Sequence, residues 1–477
     1  MKTYLYLLGL FLFMGLNLHS QTIMVSDPVT IKSDQQYAIL GQLKDHILLY
    51  RDKINEFKVQ AYNEKMGLSW EKELELDKKR PTPLEVLGVQ NHFFLIYRFK
   101  DKGQHFIKVH KYNAAANLVD STIVVNYGKR FATPKPEVIV SEDKQHILIF
   151  HTEFYSKLEV TSFSLKEMKV LWKDTFSPKD LQYGNDFQQM LVDNKGTMHL
   201  ILIRENDRVK KDKPHHYEIW SRYTDEEKPT KAIINLEEKL TYDVFFKIDN
   251  LNNSLLAGGM YSEKNKARTQ GYYYLNIPDK RAQQFQLTFH EFEESYKEEL
   301  VENKGNVSKG MYDVEIQDLA IRRDGGALII CEQRKELERK NPAYTSPAYG
   351  QDRVTYAADY FYEDLFIMAC HQDGSKHWEK ILHKKQYSQG DDAAFSSFFM
   401  AKTPQQLRLI YNDEIRNEGI VSEYLVDGIG TSDRNSVLNT ADQDLRLRLR
   451  ESMQTAANEI VVPSETKSRL KLVKVVY

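Results

Sequence analysis

The apolar residues of this chain come in short runs, many with every second position polar, separated by turns rich in Asp, Asn, Gly and Lys. The clearest unit spans residues 364–386. Residues 365–370 are a compact apolar run, Gln372-Asp373-Gly374-Ser375 carries turn chemistry, and Trp378 opens a returning run of alternating side chains. That pattern predicts two antiparallel strands joined by a hairpin. The same unit recurs at residues 61–70 and 163–172, ending on Trp70 and Trp172 at the same spacing.

Taken as the third and fourth strands of a four-stranded sheet, these hairpins have two further runs upstream of each tryptophan. The first set is 36–43, 46–51, 56–63 and 70–76, and the second is 83–89, 92–99, 105–112 and 119–126. Further sets fill residues 136–176, 187–236, 242–289, 314–384 and 394–438, the sixth interrupted by a long insertion. The spacing approaches the repeat of about 40 to 50 residues expected of propeller blades. After the seventh set only three runs remain, around 446–453, 459–463 and 468–477, while residues 23–31 form a spare strand at the other end. The expected fold is all-β, an eight-bladed β-propeller of four-stranded antiparallel blades, its seam closed by the N-terminal strand pairing with the C-terminal blade. Seven blades is the alternative, because residues 431–452 are weakly patterned. Two tandem sandwiches would need a central Pro-, Gly- or Ser-rich linker, and the sequence has none there.

The strand, Gly-bearing turn and tryptophan around Cys370 to Trp378, with copies ending at Trp70 and Trp172, resemble the tryptophan-docking repeat of quinoprotein-like β-propellers. The first and sixth blades keep the turn glycine as Gly67 and Gly374; the third has Glu167-Met168-Lys169 instead. The resemblance implies a structural role for Trp70, Trp172 and Trp378, stacked between blades. Enzymatic members hold a quinone beside adjacent cysteines, whereas Cys331 and Cys370 are far apart, so the resemblance is one of fold and no cofactor is expected. The chain is also similar to uncharacterised secreted bacterial propeller proteins.

Lys+Arg number 66 against 68 Asp+Glu, a net charge of −2 that argues against a nucleic-acid partner. Met1-Lys2, an apolar run to Leu18 and then His19-Ser20-Gln21 read as a signal peptide over residues 1–20. No later stretch is apolar enough to span a bilayer. The expectation is an exported protein, periplasmic, cell-surface or extracellular, with residues 21–477 one propeller domain carrying insertions at 291–312 and 335–363. Cys331 and Cys370 fall on strands predicted as neighbours, where either a cross-strand disulfide or two small buried thiols would fit.

In a propeller the connections from second to third strand, and from fourth strand to the next blade, share one face. The long connections predicted at 205–215, 262–270, 292–310, 334–364 and 386–392 all fall there, which marks the functional surface. Its candidates are Tyr344, Tyr349, Tyr356 and Tyr360 as contact area on the largest insertion, Asp391 and Asp392 as a carboxylate pair, and His215 and His216 beside a basic loop. Adjacent strand residues point to opposite faces, so Asp391 and Asp392 suit a turn better than one shared ion. The two histidines lack a third ligand, and no metal is expected. Acidic starts to innermost strands, Glu85, Glu137, Asp186, Asp243 and Asp318, fit either a ring at the channel mouth or bonds to neighbouring blades. No G-x-S-x-G elbow, P-loop or H-E-x-x-H occurs. These features favour a noncatalytic binding or scaffold module for a protein or glycan over the alternative, a glycan-active hydrolase or lyase with a carboxylate/His site at the channel mouth.

Overall fold

A computed structural model describes residues 21–477 except 55, 77–80, 131, 207–213, 264–265, 279–280, 282–283, 301–309, 342–354 and 416–418. The predicted leader lies outside the described residues. Eight antiparallel sheets follow one another along the chain, the first seven each built inside to outside from consecutive strands. Blade 1 is Gln36–Leu43, His46–Lys53, Glu56–Tyr62 and Leu68–Leu74. Blades 2 to 7 repeat this order, starting at Thr82, Glu137, Phe187, Leu240, Val314 and Phe398. Two short helices, Tyr183–Asp186 and Glu294–Leu300, are the only α-helices among the described residues.

Burial explains why the strands read as they do. The middle strands of a blade are covered on both faces by neighbouring blades: Ser254–Ser262 and Gly271–Ile277 are buried at every position. Such strands read as unbroken apolar runs, while outermost strands such as Lys169–Phe176 keep polar positions exposed. Close sheet packing also selects a glycine. A Cβ at Gly259 would stand 2.0 Å from Cζ of Tyr273, which lies directly opposite it across the ladder.

The seam closes as the sequence suggests. Thr22–Val25 pairs antiparallel with Arg469–Val476, from Thr22 opposite Val476 to Val25 opposite Val473. Ser26 continues the contact, its N–H donating to the Leu472 carbonyl at 2.9 Å. Blade 8 thereby becomes Met453–Ala456, Glu459–Thr466, Arg469–Val476 and the N-terminal strand.

Two expectations are corrected, and one left open is decided. The innermost strand of blade 8 is Met453–Ala456, not the run at 446–453. Residues 445–451 instead form a strap between blades 7 and 8, with Leu445, Leu447 and Leu449 buried in the core the two blades share and a single bridge from Leu447 to Ser464. Alternation marks a one-sided extended segment; it does not supply a ladder partner. The insertion at 335–363 is not a loop throughout, since the two central strands of blade 6 run on as Ala327–Asn341 and Thr355–Cys370. They pair out to Asn341 opposite Thr355, and Gln386–Gln389 adds a third strand along Asp359 to Tyr362. This arm stands on the face of the long connections, and its charged strand has too few apolar residues to register as one. Finally, the register sets Cys331 opposite Phe366 and Cys370 opposite Ala327. The cysteines are four ladder positions apart, roughly 13 Å along the strands, and both are free, buried thiols.

Candidate functional site

His215 is fully buried in blade 4. Its Nδ1 faces the Arg204 carbonyl and its Nε2 the Thr241 hydroxyl, both at 2.7 Å. With Nδ1–H donating to the carbonyl, Nε2 accepts from Thr241, which accepts from Tyr217, which accepts from Tyr273. Burial holds the imidazole down at a pKa of about 4, and the residue is part of an interior relay rather than of a surface. His216 is half-buried beside the Pro214 carbonyl, 3.0 Å away.

Asp391 and Asp392 lie in the turn before blade 7's first strand, Phe398–Lys402, with Asp392 at φ +53. Asp391 accepts from the Ala393 N–H at 3.2 Å and faces Arg446 at 3.5 Å; Asp392 accepts from the Tyr360 hydroxyl at 3.3 Å. They border a polar depression of about 560 Å³ shared with Arg446, Arg448 and Arg450, the outward side of the strap. Tyr360 and Tyr362 pack on Ala393, so on the described part of the arm these tyrosines hold it down against blade 7's loop. Tyr356 sits on the arm opposite Lys340; Tyr344 and Tyr349 lie outside the described residues. Trp172 donates to the Gly196 carbonyl of blade 4 and Trp378 to the Gly428 carbonyl of blade 7, each at 3.1 Å, while Trp70 packs between blades 1 and 2.

Two of the acidic starts bond to neighbouring blades. Asp243 accepts from the Ile316 N–H of blade 6 at 2.7 Å, and Asp318 pairs with Lys247 of blade 5 at 2.6 Å. Asp186 is paired with Arg204. Glu85 faces the channel in a cavity of about 360 Å³ shared with Lys144; burial raises the carboxyl's pKa and lowers that of the lysine.

What the structure assembles instead is a cleft of about 600 Å³ on the long-loop face, bounded by the short helix Glu294–Leu300, the root of the arm and blade 7. His383, in the connection after blade 6's outer strand, stands between two carboxylates. Its Nδ1 is 3.2 Å from Asp364 and its Nε2 3.4 Å from Glu299. The Tyr424 hydroxyl donates to the His383 carbonyl at 2.8 Å, fixing that backbone. Beyond it Arg434 binds Asp413 through one nitrogen at 2.7 and 2.8 Å. Below, Lys384 is fully buried against Glu332 at 2.6 Å and donates to the Tyr362 carbonyl and Gln386. Ser397 donates to the other oxygen of Glu332 at 2.6 Å. Burial pulls the Lys384 pKa down and Glu332 opposes that pull.

The cleft runs on into a groove of about 240 Å³ under the arm, sharing Tyr312, Gln333 and Glu363 and adding Leu337 and Phe361. Because Asp364 and Glu299 face opposite nitrogens of one ring, they do not converge on an ion. No group of His, Cys, Asp and Glu able to hold a metal occurs among the described residues.

Asp364 and His383 flank the paired strands of the tryptophan hairpin at residues 364–386. Their meeting follows from strand pairing, with Leu365 opposite Leu382 one step inside them. Glu299 and Arg434 come from other blades, and no local pattern announces them.

No family model matches the sequence, and no curated protein matches it. Solved structures do. The WD40 domain of SCAP from fission yeast superposes with a TM-score of 0.42 at 8% identity, over 96% of this chain and 98% of that one. Polysaccharide lyase Uly1 gives 0.41 at 9%, over 85% and 92%. The β-propeller domain of the Trilobed protease from Pyrococcus furiosus gives 0.34 at 10%, over 87% and 92%. The likeness is to the propeller fold. At these identities it does not extend to chemistry. No described helix is long and apolar enough to cross a membrane.

Proposed function

We propose that the protein is an exported, noncatalytic binding propeller that seats a protein segment or a glycan in the cleft between the arm and blade 7. The observation that supports this reading is the continuity of a polar cleft with an aromatic groove, on the face where the long connections gather. Convergent polar groups beside Tyr312 and Phe361, held by a buried layer at Lys384 and Ser397, are what orientation of a ligand requires. The purified mature chain on a glycan array and in a pull-down identifies the ligand. Phe361→Ala or Asp364→Ala then weakens it by roughly tenfold or more, while Tyr155→Ser on the far side of the ring leaves it unchanged. Equal affinity in all three variants removes the cleft from consideration.

One observation favours a second reading, a glycan hydrolase or lyase. Asp364 can orient the His383 ring through Nδ1, leaving Nε2 to exchange a proton near Glu299. Release of shortened or unsaturated products by the wild type, abolished in His383→Ala, would establish it; binding without turnover removes it.

A further inference from the structure

The turn joining the middle strands of blade 3 breaks a local rule twice. Glu153-Phe154-Tyr155-Ser156 is closed by the Ser156 N–H donating to the Glu153 carbonyl at 3.3 Å, and its central residues have φ of +52 and +58. Both are left-handed, the signature of a type I′ turn, whose usual residues are Asn and Gly. Here the positions hold two aromatic side chains, at a backbone cost of about 1 to 2 kcal/mol each. Neither regains that cost by packing, because Phe154 is 87% and Tyr155 75% exposed. Large exposed residues in turns of the opposite face, Leu251 and Ile429, stand singly.

The corresponding turns of the neighbouring blades lie on the same face. Blade 1 presents Lys53 and the 62% exposed Ile54, blade 2 presents Lys102, and blade 8 presents Lys467. Around the aromatic tip the acids are already neutralised: Arg130 bridges Glu153 and Glu159, and Lys157 adds to Glu153 at 3.2 Å. Apolar points therefore stand on the tips of blades 1 and 3, and lysines on those of blades 1, 2 and 8 alongside Glu56 and Asp101, on a protein whose overall charge is close to zero.

We propose that this sector of the long-loop face docks on an anionic membrane surface, with Phe154 and Tyr155 entering the headgroup boundary and the lysines facing acidic lipid. Protruding aromatic residues flanked by cations gain by partial insertion, and each lysine near an anionic surface adds about 1 kcal/mol. A convex tip suits a fluid surface, and the aromatic tip of blade 3 lies across the ring from the cleft at blades 6 and 7, on the same face.

The mature chain is tested by co-flotation with phosphatidylcholine vesicles and with vesicles also containing phosphatidylglycerol. The wild type floats with the second set, and binding falls as salt is raised. Replacing the turn by Asn-Gly (Phe154→Asn with Tyr155→Gly) raises the melting temperature, because it restores the residues the turn favours, and lowers flotation by roughly tenfold or more. Lys53→Glu with Lys102→Glu lowers flotation while leaving the melting temperature unchanged. A wild type that ignores phosphatidylglycerol vesicles, or an Asn-Gly variant that floats as well as the wild type, overturns the proposal. So does an aromatic tip found seated in a protein partner with no affinity for lipid.

Discussion

At positions 259 and 215 single residues carry more of the fold than any exposed candidate does. A methyl group at Gly259 would overlap the Tyr273 ring, and Tyr273 ends the hydrogen-bonded chain that links it and Thr241 of blade 5 to Tyr217 and His215 of blade 4. Gly259→Ala is expected to cost about 3 kcal/mol in denaturant unfolding. The same chain sets a pH dependence. An unfolded imidazole protonates near 6.5, whereas that of His215 resists until about 4 because burial disfavours its charge. Its contribution, roughly 3 kcal/mol, is fully present above pH 6.5 and is lost as the pH falls toward 4. His215→Gln lowers stability at neutral pH and flattens this part of the stability profile, which urea titrations across the range resolve. The two thiols give a simpler outcome: reductant leaves the melting temperature unchanged, because Cys331 and Cys370 are not bonded.

Among elements, the arm is anchored at its root by a buried ion pair. Lys384 and Glu332 are both inaccessible to solvent and tie together the two long strands, the strand Gln386–Gln389 and the loop before blade 7. A buried charge left alone is expensive, whereas an apolar pair of similar size is tolerated. Lys384→Met alone should therefore destabilise by about 3 to 5 kcal/mol. Adding Glu332→Leu should recover most of that loss. A double variant no more stable than the single one would show that the pair orders the cleft by geometry, through Gln386 and Tyr362. Either outcome is read by thermal unfolding alongside binding at the cleft.

For the whole molecule the decisive contact is the seam. A ring of blades has no exposed edge only if its ends join, and here the join is the short ladder of Thr22–Val25 on the last strand. It is reinforced by Ile23 and Val25 packing near Val473 and Val475, and by Arg51 of blade 1 paired with Asp34 at 2.6 Å. Deleting residues 22–30 is expected to lower stability on the order of 4 kcal/mol and to expose the outer edge of Arg469–Val476. Hydrogen exchange checks this, with loss of protection starting in blade 8.

Eight blades, their strand order and the closing strand were legible in the chain because burial between neighbouring blades writes itself locally, as apolar runs of strand length and turns between them. The tryptophan hairpins were legible for the same reason. Three things were not. The arm's outer strand is charged along most of its length, so hydrophobic patterning carries no trace of it until pairing with Thr355–Cys370 is seen. The strap at 445–451 alternates like a strand but lacks a continuous partner. The cleft joins Glu299, Asp364, His383, Asp413 and Arg434 from three regions of the chain, and no spacing in sequence encodes a meeting made by blades packing side by side. Local patterning determines which segments become sheets. Only the closed ring decides which polar groups, each unremarkable in its own strand or turn, come to face one another.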